Sequence, residues 1–587
     1  MIGPTDSAAA PRTDVVICGG GLAGLLLARQ LHLELPQLSV TVLEQSRRPL
    51  PDACHKVGES SVETGSQYLE RLGLEEYLLD QHLVKLGLRF FPGHGELPLH
   101  LRTEIGPGAE PIVRSYQIDR GRFETAMRGF IEDDGSTLIE GARVRDIALG
   151  AGDDDHVITY EMDGESQTIN AHWVVDASGR AALLRSKLKL KRGSKHVANA
   201  GWFRIKGRFD INSMVPESET SWHGRACADE RWRSTNHFMG KGYWAWVIPL
   251  STGYTSIGLV VHEDTHAFRN VRSLENVRAF LAEHEPHLAA ALETYPAEDF
   301  LCLGKYTNGI SRSFSVDRWA IVGEAGAFVD PLYSPGTDFI GFANCFATEM
   351  IRVEQQGGDL EATAQLLNTQ YRILVTGTTD VFFEAAPVYG HVQAMAAKIY
   401  WDNFVYWSYT GQYFQQNVWQ MNAEDRGRIN AAGRLFGEYS AAMQALFRAW
   451  AKLEPSVAHP IMMGLPTFPS VLVDAHIAMG QKMETAEAVA YIEMRANQGR
   501  EMVTEFVVRV IQLVSPDTAR AILGQARYDS WDMPVPPERL DMEALDSLSR
   551  RKAISPIAKD IERYLGRQRR HPDAALCREL LAQRTTA

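Results

Sequence analysis

What this chain has little of narrows it first. Its six cysteines (Cys18, Cys54, Cys227, Cys302, Cys345 and Cys577) are scattered over 587 residues. There is no C-x-x-C and no His/Cys pair at zinc-ligand spacing, which excludes a disulfide framework and a zinc finger. No stretch reaches the roughly eighteen consecutive apolar residues that a membrane-spanning helix needs. Positive charge is short too: 60 Lys and Arg against 73 Asp and Glu leave a net charge of −13. Nucleic acid, which binds to basic surfaces, is therefore excluded as a partner. The N-terminus shows no signal peptide, and with the cysteine usage this predicts a cytoplasmic protein with reduced thiols. Residues 1–13 are small, polar and proline-containing and read as a frayed end, and no internal repeat is visible.

The chain is organised around Asp14 to Glu44. Val15, Val16, Ile17 and Cys18 form a short apolar run with β-branched residues, as a buried parallel strand requires. Gly19, Gly21 and Gly24 then spell G-x-G-x-x-G. In such a turn the first glycine permits the tight bend, the second lets backbone approach a pyrophosphate, and the third lets helix pack on strand. The helix that follows directs its N-terminal amides at the phosphates. A second apolar strand ends at Glu44, about twenty residues on, where a carboxylate accepts hydrogen bonds from a ribose. This is a dinucleotide site.

Further along, Gly58-Glu59-Ser60-Ser61 opens a helix and serves either an anion or plain capping. Val84, Leu86, Leu88 and Phe90 alternate with polar or small residues, predicting a strand with Lys85 on one face, where a lysine is ordinarily solvated. Arg120 stands at a helix start, to meet a phosphate or carboxylate or to pair with a neighbouring acid. Asp163-Gly164 predicts a hairpin turn. The strand at 172–175 ends in Asp176-Ala177-Ser178-Gly179-Arg180, a second small-residue turn that brings backbone near the nucleotide. From 200 to 300 the pattern is strand-rich, and Trp244 and Trp246 share one strand face. Residues 319–351 return to strand, turn and helix, with Glu324, Gly326 and Asp330 in the turn and Ser334-Pro335-Gly336-Thr337 at the helix start. The acids there are expected to contact ribityl or ribose hydroxyls. From 352 onward the pattern is helical. Phe436, Tyr439, Met443, Leu446, Phe447 and Trp450 recur at three to four, and the block from Tyr400 is crowded with aromatics that fill a core or line an aromatic pocket. The end of the chain, from Ser549, mixes arginines with acids and reads as exposed helices.

Taken together these motifs resemble the flavin-dependent halogenases, the tryptophan-halogenase-like group within the para-hydroxybenzoate-hydroxylase type of FAD monooxygenases. GGGLAG at 19–24 with Glu44 resembles their FAD site. WAWVIP at 244–249 fits W-x-W-x-I-P. GEAGAFVDPLYSPG at 323–336 resembles the late flavin motif and halide loop, and KLGLRF at 85–90 resembles the strand bearing the active-site lysine. The resemblance covers about residues 13–350. It implies an α/β FAD-binding domain of Rossmann-like, glutathione-reductase type (1–199, returning at 301–351), an inserted β-rich substrate domain (200–300), and a mostly helical C-terminal region (352–587).

The resemblance also implies roles. FAD is held by Gly19, Gly21, Gly24, Glu44, Arg120, Asp176, Glu324, Gly326 and Asp330, and its reduced form comes from a separate flavin reductase. Chloride or bromide sits at Gly336 and Thr337 and is oxidised through a flavin hydroperoxide to hypohalous acid. Lys85 holds that species beside an electron-rich arene, which requires a desolvated lysine. Trp244 and Trp246 wall the flavin off from substrate. Three positions depart from the family pattern. Pro335 replaces a serine or threonine and removes one N–H from the halide loop. Tyr333 replaces the glutamate that tryptophan halogenases use, which disfavours tryptophan and favours a phenol, a pyrrole or an aryl group tethered to a carrier protein. Glu324 stands where aspartate is usual. A halogenase is expected, with an FAD monooxygenase or oxidase lacking halide use as the alternative, and a non-catalytic flavoprotein binding module as a second.

Overall fold

The computed structural model describes residues 10–51, 56–465, 469–525, 547–548 and 550–566. Strand β1 (Arg12–Cys18) runs into helix α1 (Leu22–Glu34) and strand β2 (Val40–Glu44) as expected. Val15, Val16, Ile17 and Cys18 are fully buried. Helix α2 (Glu63–Arg71) follows, then strands β3 (Leu83–Val84) and β4 (Leu88–Pro92). Strand β5 (Glu104–Gly106) and helix α3 (Arg120–Asp133) come next. Strand β6 (Thr137–Glu140) precedes a hairpin of β7 (His156–Met162) and β8 (Glu165–Asp176). That hairpin turns at Asp163 and Gly164, both at positive φ, the backbone that Asp-Gly favours.

Among the described residues, two eight-stranded sheets organise the fold. In the first, β1 pairs in parallel with β2 on one side and β8 on the other, β2 pairs with β6, and β8 pairs with β9 (Trp319–Ile321). The late segment therefore folds back onto the nucleotide domain, as its strand–turn–helix pattern predicts.

The second sheet is not confined to residues 200–300. Its strands Ala198–Lys206, Thr235–Gly240, Tyr243–Pro249 and Tyr254–His262 come from that range, apart from two leading residues. It continues through β4 and β5 and ends on Met462–Gly464, which pairs in parallel with β5. These pairings are tertiary, so the composition boundary at 200 does not mark them. The predicted strand over 84–90 is also interrupted. Gly87 has φ +67°, and Lys85, Leu86 and Gly87 form an irregular link between β3 and β4.

Helix α4 (Gly336–Gln355) starts directly after Pro335 and wedges between the nucleotide domain and the C-terminal helices. A Cβ at Gly341 would lie 3.1 Å from the Tyr68 ring, and Asn344 Nδ2 donates to the Ala23 carbonyl and the Tyr68 hydroxyl. The helical region contains α5 (Leu360–Phe382), α6 (Val392–Val405), α7 (Ala423–Leu453), α8 (Ser470–Met479) and α9 (Thr485–Leu513). Phe436, Tyr439, Met443, Leu446, Phe447 and Trp450 are the buried stripe of α7. Between α6 and the next short helix, Tyr406–Thr410 form a π-helical turn, a widening that often marks functional sites. Most of the arginine-rich end, like Cys54 and Cys577, lies outside the described residues. No helix among the described residues is long and apolar enough to cross a membrane.

Candidate active site

The glycine turn shows why each glycine is there. Gly19 sits at φ +123°, and a Cβ at Gly24 would meet the Gly19 carbonyl oxygen at 2.0 Å. A Cβ at Gly21 would meet nothing within 4 Å. Space is thus left open at the one glycine whose part is to let a phosphate approach. Glu44 closes the far side: its Oε2 accepts from Gly20 N at 2.7 Å and its Oε1 from Ser46 N at 2.8 Å.

A cavity of about 110 Å³ begins at Leu22, the first residue of α1, and is lined by Arg120, Trp244, Trp246, Glu324, Gly336 and Thr337 among others. Arg120 donates to the Val57 carbonyl and to Glu124, both at 2.6 Å. Burial raises the Glu324 carboxyl, and Arg120 and Arg180 oppose the shift. Trp244 carries a buried Nε1–H with no partner among the described residues. The open cradle at Gly21 and this orphaned donor in a glycine- and aromatic-lined cavity fit a dinucleotide with a flat ring system.

Three of the residues expected at the cofactor have partners of their own. The Asp176 carboxylate is fully buried and is taken up by its own turn, accepting from Ser178 N, Ser178 Oγ and Leu184 N. Gly326 N donates to Gly323 O, and its carbonyl accepts from Arg185. Asp330 accepts from His196 Nε2 at 2.8 Å and Leu332 N at 3.1 Å. None of the three lines this cavity, and neither do Gly19, Gly21, Gly24 or Glu44; of the expected cofactor residues, Arg120 and Glu324 do. A short acidic side chain that caps its own turn is spent locally.

A larger cavity of about 450 Å³ lies beside the first. Lys85 is fully buried in its wall. Its Nζ donates to Ser60 Oγ at 3.0 Å and to the Ser61 carbonyl at 2.6 Å. Burial pulls the ammonium down to about 7, with Glu63 and Asp338 pulling part of the way back. Asp338 moves the opposite way, up to about 7, chiefly through burial. Its two oxygens accept from Gly65 N and the Tyr406 hydroxyl, each at 2.8 Å. Burial also pushes the Glu63 carboxyl up, but His476 outweighs this and holds it below the usual range. His476 Nε2 lies 3.3 Å from Glu63 Oε1. Phe90, Phe339, Tyr406, Trp407, Tyr409 and Tyr413 supply an aromatic lining. The crowded block at 400–413 thus divides: Tyr400, Trp401 and Phe404 are core, while the residues at the π-helical turn face the cavity.

Trp244 and Trp246 line the smaller cavity and not the larger one. Pro335 and Phe339 line both cavities, so the first turn of α4 is the wall between them. A hydrogen-bond network crosses it. Ser334 Oγ donates to Ser60 Oγ at 3.2 Å, and Ser60 shares a hydrogen bond with Thr235 at 2.9 Å. Gly336 and Thr337 reach the smaller cavity at the N-terminus of α4, where first-turn amides have no partner within the helix. Pairs such as Glu63 with His476 were not legible in the sequence. They come from opposite ends of the chain, and neither carries a motif.

Residues 12–295 match the model of the FAD binding domain family. A flavin-dependent halogenase of Dictyostelium discoideum is 28% identical over 440 residues, covering 68% of this chain and 71% of its own. One from Armillaria mellea is 28% identical over 379 residues, covering 60% and 67%. The chain is a relative of the flavin-dependent halogenases. Like them it is an FAD-binding oxidoreductase. Among solved structures, the halogenase PltM superposes with a TM-score of 0.60 at 16% identity, covering 83% of this chain and 96% of that one. The halogenase CmlS gives 0.53 at 20% identity, covering 84% and 78%. These two likenesses establish the halogenase fold. One PltM structure contains phloroglucinol and FAD.

Proposed function

We propose that this protein is an FADH2-dependent halogenase that places chlorine or bromine on a small electron-rich aromatic ring, a phenol foremost, either free or tethered to a carrier protein. The observation that carries this reading is Lys85: a fully buried lysine in the wall of an aromatic-lined cavity, separated by the first turn of α4 from a second cavity that reaches Leu22, directly after Gly21 of the glycine turn. A lysine desolvated to that degree without a reactive role is a net loss to the fold.

Leu22, Gly21, Glu44, Arg120 and Glu324 would hold FAD, delivered reduced by a separate flavin reductase. With oxygen, it supplies the two-electron oxidant that converts halide to hypohalous acid. The amides of Gly336 and Thr337 face that cavity with the positive end of the α4 dipole and suit a halide. Pro335 and Phe339 keep the aromatic substrate out of the flavin cavity. Lys85 receives hypohalous acid by hydrogen bond, and burial lowers its ammonium toward neutrality, which makes the amine form accessible. The lining rings offer edge and face contacts to a planar substrate.

One observation favours a second reading, an FAD monooxygenase or oxidase without halide: Pro335 removes an N–H from the loop where halide would sit. The deciding experiment combines purified protein, a flavin reductase, NADH, chloride or bromide, and a panel of phenols and pyrroles. A mass increase with the halogen isotope pattern supports halogenation. A gain of one oxygen without halogen overturns it.

A further inference from the structure

Besides Lys85, the larger cavity brings together Asp338, Glu63, His476 and the Tyr406 hydroxyl. Asp338 is committed: both carboxyl oxygens already accept, one from Gly65 N and one from Tyr406. His476 is not. It is fully buried, it lines the cavity, and its Nδ1 has no hydrogen-bond partner among the described residues. Buried polar atoms are nearly always satisfied, so an imidazole left open beside a cavity points to a group that the cavity receives. Its ring is set by Trp407, 4.8 Å away between centroids. On its other side Nε2 lies 3.3 Å from the Glu63 carboxylate, which leaves Nδ1 for a ligand. A base held between an orienting carboxylate and a substrate space is the arrangement used to remove hydroxyl protons.

We infer that His476, oriented by Glu63, is the general base that takes the hydroxyl proton of a phenolic substrate while Lys85 presents the halogen. This rests on the halogenase reading and names the substrate class within it. Neutral imidazole accepts the phenol O–H proton, and Glu63 stabilises the resulting imidazolium. The ring electron pair forms the carbon–halogen bond as the oxygen–halogen bond of hypohalous acid breaks. The departing hydroxide takes a proton from the Lys85 ammonium and leaves as water. The halogenated dienone then loses its ring C–H proton to the Lys85 amine, and the imidazolium returns its proton to the oxygen. Phenol and hypohalous acid become halophenol and water, with both side chains restored. An anisole, which has no hydroxyl proton, gains nothing from this base.

The test uses the full-length holoprotein and two readouts. In the first, 4-nitrophenol is titrated into wild type, His476→Gln and Glu63→Gln, and ionisation of the bound phenol is followed by absorbance against pH. Wild type is expected to ionise bound nitrophenol at least one pH unit lower than His476→Gln does. In the second, halogenation of a phenol and of its methyl ether is compared. His476→Gln is expected to lower phenol turnover by about 100-fold and to leave ether turnover within twofold. Glu63→Gln should fall between wild type and His476→Gln in both readouts. FAD absorbance in each variant reports an intact fold. If His476→Gln keeps the nitrophenol profile and the phenol rate of wild type, the base is not His476. If wild type halogenates no phenol at all, the halogenase reading falls instead, and the nitrophenol titration still decides the base.

Discussion

Lys85 and Ser334, which belong to two different cavities, share one partner. The Ser60 hydroxyl accepts from Lys85 Nζ at 3.0 Å and from Ser334 Oγ at 3.2 Å. The lysine that faces the aromatic space is thereby wired to the loop that starts α4, and any species made at that loop has a polar route to the amine. Trp244 and Trp246 take no part in this connection.

Lys85→Ala is expected to abolish halogen transfer, a fall of at least about 100-fold in product formation. The FAD spectrum and binding should be unchanged, because Lys85 does not line the cofactor cavity. Consumption of NADH should continue, and free hypohalite should become trappable with a soluble scavenger. Full product formation by Lys85→Ala would remove the lysine from the reaction.

The same lysine predicts a pH dependence of stability. Its ammonium is pulled down to about 7 by burial, whereas an unfolded chain titrates it near 10.4. Between those values the unfolded chain binds a proton that the folded one does not, so wild-type stability rises with pH across that window. Below pH 7 the folded state carries the whole penalty, and above 10.4 it carries none. Lys85→Met, which has no such group, should gain melting temperature over wild type at pH 6 and lose that advantage by pH 10. The difference between the two pH values should amount to a few kcal/mol, at about 1.4 kcal/mol per pKa unit. Denaturant or thermal melts at both pH values measure it.

Gly21 and Gly24 should separate cofactor binding from folding. Gly21→Ala meets open space, so the variant should fold with a near-wild-type melt and bind FAD at least about tenfold more weakly, since its Cβ takes the room a phosphate needs. Gly24→Ala would place Cβ 2.0 Å from a backbone oxygen and should lower the melting temperature or prevent folding outright. Equal effects on both would show that the open space at Gly21 is not used.

Pro335→Ser restores a backbone N–H at the start of α4. If halide lies at Gly336 and Thr337, the added donor should lower the halide KM several-fold with little change in kcat. An unchanged halide KM would place the halide elsewhere.

The β1–turn–α1–β2 unit was legible because every part of it is local: the apolar run, the glycines and Glu44 follow one another within a short stretch. The stripe on α7 was legible for the same reason. Lys85 was identified through a motif, but its setting was not, since Gly87 breaks the strand that alternation alone would continue. Asp176 and Asp330 look like cofactor ligands in a sequence because acids after a strand often are. Here Ser178 N, Leu184 N and His196 claim them, and nothing in the spacing announces those partners. Glu63, Asp338 and His476 became visible only once α2, α4 and α8 had been packed around one space.

The strand Met462–Gly464 closes the edge of the second sheet by pairing with Glu104–Gly106, the neighbour of the strand that follows Lys85. The helices after residue 352 are stitched into the sheet and are no detachable cap. For anyone wishing to change which aromatic this scaffold accepts, that sets the cut sites. A graft of α6 to α8 from another chain has to bring its own edge strand, or the recipient is left with an open ladder beside its reactive lysine and a tendency to stick to its neighbours.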